Sequence, residues 1–440
     1  MSAIVDFPVK PEARPYVDAF VDHAWEPQRL RDPRQHAIAR FAELGFPGRR
    51  GESWRYLDLQ LLERDPLLPT CLPPESLDAA RAQLAELDLV GGGPRLVILD
   101  GLYSHQLSST GVPGGVWFGA TEAALAEDRG DLFHAVVHAV QNDTTHPFAA
   151  LNAAFFCDGY VLDLAPGITL DTPIEIIHLA SGAAAGSFHT RSLVTLGAGS
   201  RASIVETYTG AGRYWRNDVL AVRLAEGAVL NRTVVVEEAA EAVHLAQLNV
   251  RLATDARFAG FALLLGGLRA RHEASVTMAG EGAHCRLDGA FVVTGNDEAN
   301  IVATVDHAAP GGQTRELVKG VAAGRGHGAF QGRIIVREHA QQTDAHQLSR
   351  NLLIGRRAAI DTKPELEIYA DDVKCSHGAS VGDLDEAALF YLCARGIPAE
   401  EARHMLIEGF LREAVEQIDD RAVSDHLLHR LGLRLGRLEG

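Results

Sequence analysis

The sequence predicts a mixed, β-dominated fold: a parallel β-helix core between an N-terminal helical (α/β) region and a C-terminal helical region. Three observations predict it. Between about Tyr160 and Asp383, short runs of Val, Ile, Leu and Thr are broken by small-residue turns and show almost no helical periodicity. Both flanks instead carry apolar residues at three- and four-residue spacing. The turns themselves recur, with centres at Gly199, Gly227, Asp255 and Gly282 separated by 28, 28 and 27 residues, and Gly328 and Arg356 lying 28 apart after an irregular Gly-rich interval. A constant period of turns between short strands marks a solenoid whose coils stack strand on strand, whereas a Greek-key sandwich has no need of one.

Taken in order, Pro27–Leu44 and Ser76–Leu89 read as helices separated by Pro- and Gly-bearing turns, and Arg95–Leu99, RLVIL, as a buried strand. Each turn of the middle region is followed by β-formers: Ser203–Tyr208, Leu230–Glu237, Phe258–Leu265, Arg286–Val293, Gly332–Val336 and Ala359–Ile368. Leu384–Ala394 reads as an amphipathic helix ending at Gly396, and Pro398 opens another that runs to about Ile418, with Ala402, Met405, Leu406, Gly409, Phe410 and Val415 on its apolar face. The expected domains are 1–150, 151–382 and 383–440. A solenoid leaves unpaired strand edges at its ends, which terminal helices or a partner must cover.

The chain of 440 residues carries 41 basic and 58 acidic side chains, a net charge of −17, which disfavours nucleic acid and anionic membranes as partners. No run of about 18 apolar residues occurs, so no transmembrane helix is expected. The start, MSAIVDFPVKPEARP, lacks the basic and apolar regions of a secretory signal, and a cytoplasmic location is expected. Five scattered cysteines, Cys71, Cys157, Cys285, Cys375 and Cys393, read as reduced thiols rather than a disulfide framework.

The residues with chemistry to offer are few. Cys375 and His377 stand two apart in an extended run, so they share one face and present a soft sulfur and an imidazole nitrogen, half of a site for iron or zinc. His134 and His138 lie four apart without the carboxylate of a zinc protease, and His339, His346, His426 and His429 lack convergent acids or thiols. Gly320–Gly328, GVAAGRGHG, has the composition of an anion nest, but no P-loop, dinucleotide fingerprint or serine nucleophile elbow is present. The alternative of a carbohydrate-active enzyme on a β-helix requires sugar-stacking aromatics and paired carboxylates, and aromatics make up only 6% of the chain.

The segment TKPELEIYADDVKCSHGASVG, Thr362–Gly382, resembles the SufB/SufD family of iron–sulfur cluster assembly proteins. So do AHQLSRNLLIG before it, LDEAALFYLCARGIPAEEARHMLIEGF after it and, more weakly, GESWRYLDL at Gly51–Leu59. The resemblance implies a right-handed parallel β-helix and a non-enzymatic scaffold role. It implies pairing with SufB edge to edge and binding of the ATPase SufC through the C-terminal helices, where Met405, Leu406 and Phe410 are the candidate contacts. His377 would serve as a ligand for transient iron or a nascent cluster shared with SufB, with Cys375 as its supporting neighbour. In SufB-type members a cysteine is expected at the position of Ala358 and carboxylates at those of Cys375 and His377, so this chain follows the SufD-type pattern. A homodimer through the same open end is expected in isolation. A flavin is linked to this assembly system, but no residue here marks a pocket for one.

Overall fold

A run of β-formers with turns on both sides can bury one face only by stacking on its neighbours, and here it does so twice per coil. The computed structural model describes residues 9–21, 28–49, 51–71, 77–127, 146–183 and 185–436. The first sheet runs from Leu102–Tyr103 and Arg95–Leu99 through Ile174–Ala180, Arg201–Gly210, Val229–Glu237, Arg257–Leu264, His284–Val293, Gln313–Ala323 and Thr343–Ile354 to Val373–Gly382. The second runs from Val116–Ala120 through Tyr160–Leu164, Gly186–Leu196, Tyr214–Leu224, Val243–Leu252, Arg269–Met278, Glu298–His307 and His327–Val336 to Ala359–Ile368. Pairing is parallel throughout, except that Leu102–Tyr103 and Val116–Ala120 close the starting end antiparallel. The fold is therefore a parallel β-solenoid, as the turn spacing predicts.

The period has a backbone cause. Gly199, Gly227, Asp255, Gly282, Gly311 and Gln342 all take left-handed φ values of 54° to 69°. Each donates its N–H to a carbonyl of the next coil, on Glu226, Thr254, Glu281, Pro310, Gln341 and Asp372, at 2.6–3.0 Å. Glycine adopts this conformation without penalty, and Asp tolerates it better than most residues. Gly328 and Arg356 are not turn centres of this row: Gly328 lies inside His327–Val336, and the left-handed residues nearby, Gly324 and Gly355, belong to the opposite corner of the coil together with Gly267 and Gly295. Taking Gly328 and Arg356 as centres shifts the row by half a coil: the corners there are Gly311 and Gln342, and the second is a residue that composition does not mark as left-handed.

The glycines of Gly320–Gly328 serve packing rather than anions. A Cβ on Gly320 or Gly328 would come within 2.1 Å of the Phe291 ring, so the two glycines make the slot that this fully buried side chain fills. The interior is not wholly apolar. Glu206 accepts from Arg232 Nε at 2.9 Å and Tyr208 Oη at 2.8 Å and lies 2.8 Å from His178 Nε2, all of them buried. Burial pushes this carboxyl up, but the Arg232 guanidinium prevails and holds it well below the carboxylate range.

The flanks are strapped to this core. Tyr16, Phe41, Phe46 and Phe148 form an aromatic cluster around Trp215, fixing the helix Gln28–Leu44 and the helix Pro147–Phe155 against the strand Tyr214–Leu224. Gly51–Leu59 crosses the outer side of the second sheet: Arg271 donates to the Ser53 carbonyl at 2.9 Å, Asn300 to that of Tyr56 at 3.1 Å, and Lys363 pairs with Glu52 at 2.6 Å. One segment thus holds several coils at once. At the other face, Ile407, Leu411, Ala414, Val415, Val423, Leu427 and Leu431 of helices Ala399–Val415 and Arg421–Leu435 bury against Val235, Leu263, Ala290, Val292 and Val321 of the first sheet.

Two cysteines depart from the expectation of free thiols. Cys71 and Cys157 form a disulfide, with Cα atoms 6.1 Å apart, while Cys285, Cys375 and Cys393 remain free. The reason is topological: Thr70 N bonds to Ser187 O and Cys157 N to His189 O, so two segments distant in sequence line the same strand edge and bring the sulfurs together.

Two outcomes test this account. Phe291→Ala is expected to cost about 3–5 kcal/mol, and Gly320→Ala to destabilise the parent protein but much less the Phe291→Ala background, a coupling read from denaturant melts of the four variants. Alkylation of the unfolded, unreduced protein followed by peptide mass mapping is expected to label Cys285, Cys375 and Cys393 and to find Cys71 linked to Cys157. Closing a loop of 86 residues contributes on the order of 4 kcal/mol, seen as a lower melting temperature in reductant.

Candidate functional site

The last strand of the solenoid, Val373–Gly382, carries Cys375 and His377. Its neighbour Thr343–Ile354 covers one edge and, among the described residues, no strand covers the other, so side chains that earlier coils enclose are here half-buried or exposed. Alternation puts both residues on the same face, as the sequence predicts. Cys375 is half-buried beside Ile334, Val336, Ala345 and Ala370. Burial pushes its thiol up, the bond with the Ala345 backbone opposing this and Asp344 reinforcing it. His377 is exposed.

Register shows what stands behind each. Leu287, Glu316, Gln347 and His377 are successive lateral partners, as are Cys285, Thr314, Ala345 and Cys375. Leu287 and Cys285 belong to the interior cluster, so both rows face the inside of the solenoid and surface at its last coil. Gln347 Nε2 donates to Glu316 Oε2 at 2.5 Å. Burial raises the Glu316 carboxyl to about 8, the Gln347 bond opposing and Asp288 adding to the shift. The carboxyl is uncharged near neutral pH. Glu316 and Gln347 were not singled out in the sequence, because only the register of coils some 30 residues apart relates them to His377.

At this end of the first sheet a cleft is lined by residues of both alternating rows, Arg286, Arg315, His346 and Ser376 of one and Glu316, Gln347 and His377 of the other, together with Glu413 of the C-terminal helix. His346 Nδ1 lies 2.6 Å from Ser376 Oγ, and its Nε2 lies 2.8 Å from Asp344 Oδ1. Among the described residues no group of three or more His, Cys, Asp or Glu converges on a metal position. Cys375 and His377 thus stand without a third such side chain among the described residues, and a thiolate and an imidazole both suit a soft or borderline metal such as iron. His134 and His138 lie outside the described residues. His426 is held by Asp88 at 3.2 Å, and His339 Nε2 lies 2.8 Å from the Ala308 carbonyl oxygen, which assigns both to structural contacts.

The C-terminal candidates separate. Met405 is 46% exposed, Leu406 is half-buried, and Phe410 lies against the solenoid, where the buried Lys319 Nζ sits 4.2 Å from its ring centre, donates to its carbonyl at 2.8 Å and pairs with Glu413. The buried stripe of this helix is Ala402, Ile407, Leu411, Ala414 and Val415, rotated from the apolar face read in the sequence. The preceding helix, expected as amphipathic over Leu384–Ala394, spans Glu386–Ala394 and buries no residue: Phe390 is 74% and Tyr391 55% exposed. Asp385 caps it by accepting from Ala387 N and Ala388 N, and Gly396 ends it at φ 89°. A capped helix thus presents two large apolar side chains to solvent next to the open end.

Comparison with known proteins agrees with this architecture. The family model described as SUF system FeS cluster assembly, SufBD core domain, matches residues 178–410, and that of the SufBD protein N-terminal region matches residues 21–176. The iron–sulfur cluster assembly protein SufD of Escherichia coli is 30% identical, with 93% of each chain aligned. A SufBD family iron–sulfur cluster assembly protein of Synechocystis is 28% identical over 88% of this chain and 87% of its own. A chloroplastic protein of Arabidopsis thaliana is 28% identical over 90% and 84%. Solenoid, flanking regions and terminal Cys-x-His strand thus fall within one matched framework, and the chain belongs to the SufB/SufD family of the SUF iron–sulfur cluster assembly system.

Proposed function

We propose that this chain is a SufD-type, non-catalytic scaffold of the SUF system that pairs with SufB at the open end of its solenoid, carries the ATPase SufC on its C-terminal helices and lends His377 to iron or a nascent cluster. The observation that carries this reading is the half-site: two ligands of the right softness on an unpaired terminal strand, with no third ligand among the described residues. Ligands from a second subunit would complete the coordination, so the cluster is a cargo of the interface. His377 is the primary ligand because it is exposed. Cys375 is the supporting one, since its half-buried thiol must lose a proton to bind metal. Ile368, Tyr369 and Val381 are exposed on or beside the terminal strands, as an apolar edge meant for pairing would be.

SufC fits the uncovered face of Glu386–Ala394 together with Met405 and Leu406 of the next helix, while Phe410 anchors that helix to the solenoid. A cytoplasmic location belongs to the same proposal; of membranes the structure says only that no helix of the described residues is long and apolar enough to cross one. In isolation the open end would pair with a second copy. The comparisons give the carbohydrate-active alternative no support.

His377→Ala is expected to leave folding and assembly with SufB and SufC intact and to reduce cluster formation at least tenfold. Cys375→Ala is expected to act in the same direction more weakly. Anaerobic co-expression of the three subunits, followed by iron and sulfide analysis of the purified complex, checks both, and normal cluster content with His377→Ala would remove the ligand role. A Phe390→Ala, Tyr391→Ala double variant is expected to keep the parent melting curve, because neither ring is buried. It should weaken SufC capture at least tenfold, equivalent to about 1.4 kcal/mol, while SufB capture is unchanged.

A further inference from the structure

The amide of Gln347 is buried, with Nε2 bonded to Glu316 Oε2 at 2.5 Å and Oε1 without a hydrogen-bond partner. A buried acceptor left unpaired costs about 1–3 kcal/mol, so a structure that keeps one has a use for it or fills it in another state. Gly332 makes the room: a Cβ there would stand 1.9 Å from Gln347 Nε2. The amide is thus held by Glu316 on one side and by the absence of a side chain on the other. The next residue along the row is His377, the lateral partner of Gln347 on the uncovered last strand. Adjacent strands lie about 4.8 Å apart, and an imidazole one step along the row brings a ring N–H within reach of the amide oxygen by side-chain rotation alone.

We propose that Gln347 is a positioning residue for His377: its Oε1 accepts the hydrogen bond from one ring nitrogen and so leaves the other as the metal-binding atom. This rests on the reading of His377 as a ligand but concerns a contact that exists, or does not, in the protein alone. A metal-binding histidine generally donates its second ring N–H to an acceptor that fixes tautomer and ring plane. Here the acceptor is a neutral amide backed by a protonated carboxyl, which orients the ring without placing a negative charge behind it. Glu316 and Gly332 act through Gln347, one holding the amide and the other leaving space for it.

The test is nitrogen NMR of the full-length, histidine-labelled protein without metal, the His377 signals being those lost in His377→Ala. One ring nitrogen at a protonated and one at an unprotonated shift is the expected wild-type result, with the split lost to solvent-averaged values in Gln347→Met and regained in Gln347→Glu, which restores an acceptor oxygen. Gly332→Ala is expected to displace the amide and give the same loss with Gln347 in place, which covers a Gln347 variant that fails to fold. Averaged shifts in the wild type, or a split that survives Gln347→Met, overturn the proposal. Failure of the ligand reading would look different: a fixed tautomer in the free protein together with normal cluster assembly by His377→Ala complexes.

Discussion

The protein depends on the lateral locking of parallel coils. Strand pairing alone leaves a coil free to slip, and a slip of one residue would turn every inward side chain outward. The left-handed corner residues Gly199, Gly227, Asp255, Gly282, Gly311 and Gln342 remove that freedom, because each hands its N–H to the following coil at a defined point. Rows of side chains then run unbroken along the interior. A polar residue in such a row must find its partner in the same row or beside it, as Glu206 does with Arg232, His178 and Tyr208, and as Glu316 does with Gln347.

The same locking explains why the flanking segments matter. Coils contact only their neighbours, so a solenoid has no long-range tie of its own. The strap Gly51–Leu59 supplies one by holding Arg271, Asn300 and Lys363 on separate coils, the last of them on a terminal strand. Lys319 supplies another on the opposite face, where its buried ammonium bonds a helix carbonyl, a helix carboxylate and an aromatic face at once. Its desolvation is offset only while helix Ala399–Val415 stays in place.

How much of this the sequence disclosed follows from the range of each interaction. The solenoid was legible because Gly, Asp and small residues at corners are local signals that repeat, and the shared face of Cys375 and His377 was legible because alternation is local as well. The register linking His377 to Gln347 was not, since it depends on the lengths of the intervening turns and on Gln342 standing where a glycine would be expected. Cys71 and Cys157 meet because each lies next to the strand Gly186–Leu196, a third segment that no spacing between the two reveals. Periodicity found the apolar residues of Glu386–Ala394 and Ala399–Val415. It cannot say which stripe is covered, and the answer differed between the two helices.

The two ends of the solenoid are unequal, and this limits how copies can combine. At the start the two sheets end in the short antiparallel strands Leu102–Tyr103 and Val116–Ala120, while at the finish they end in the ten-residue parallel strands Ala359–Ile368 and Val373–Gly382. An object with two complementary ends polymerises head to tail without limit; an object with one receptive end stops at a pair. Because the two ends of this solenoid differ in strand length and direction, finish-to-finish docking joins like to like, an isologous contact that closes at a pair instead of adding copies head to tail.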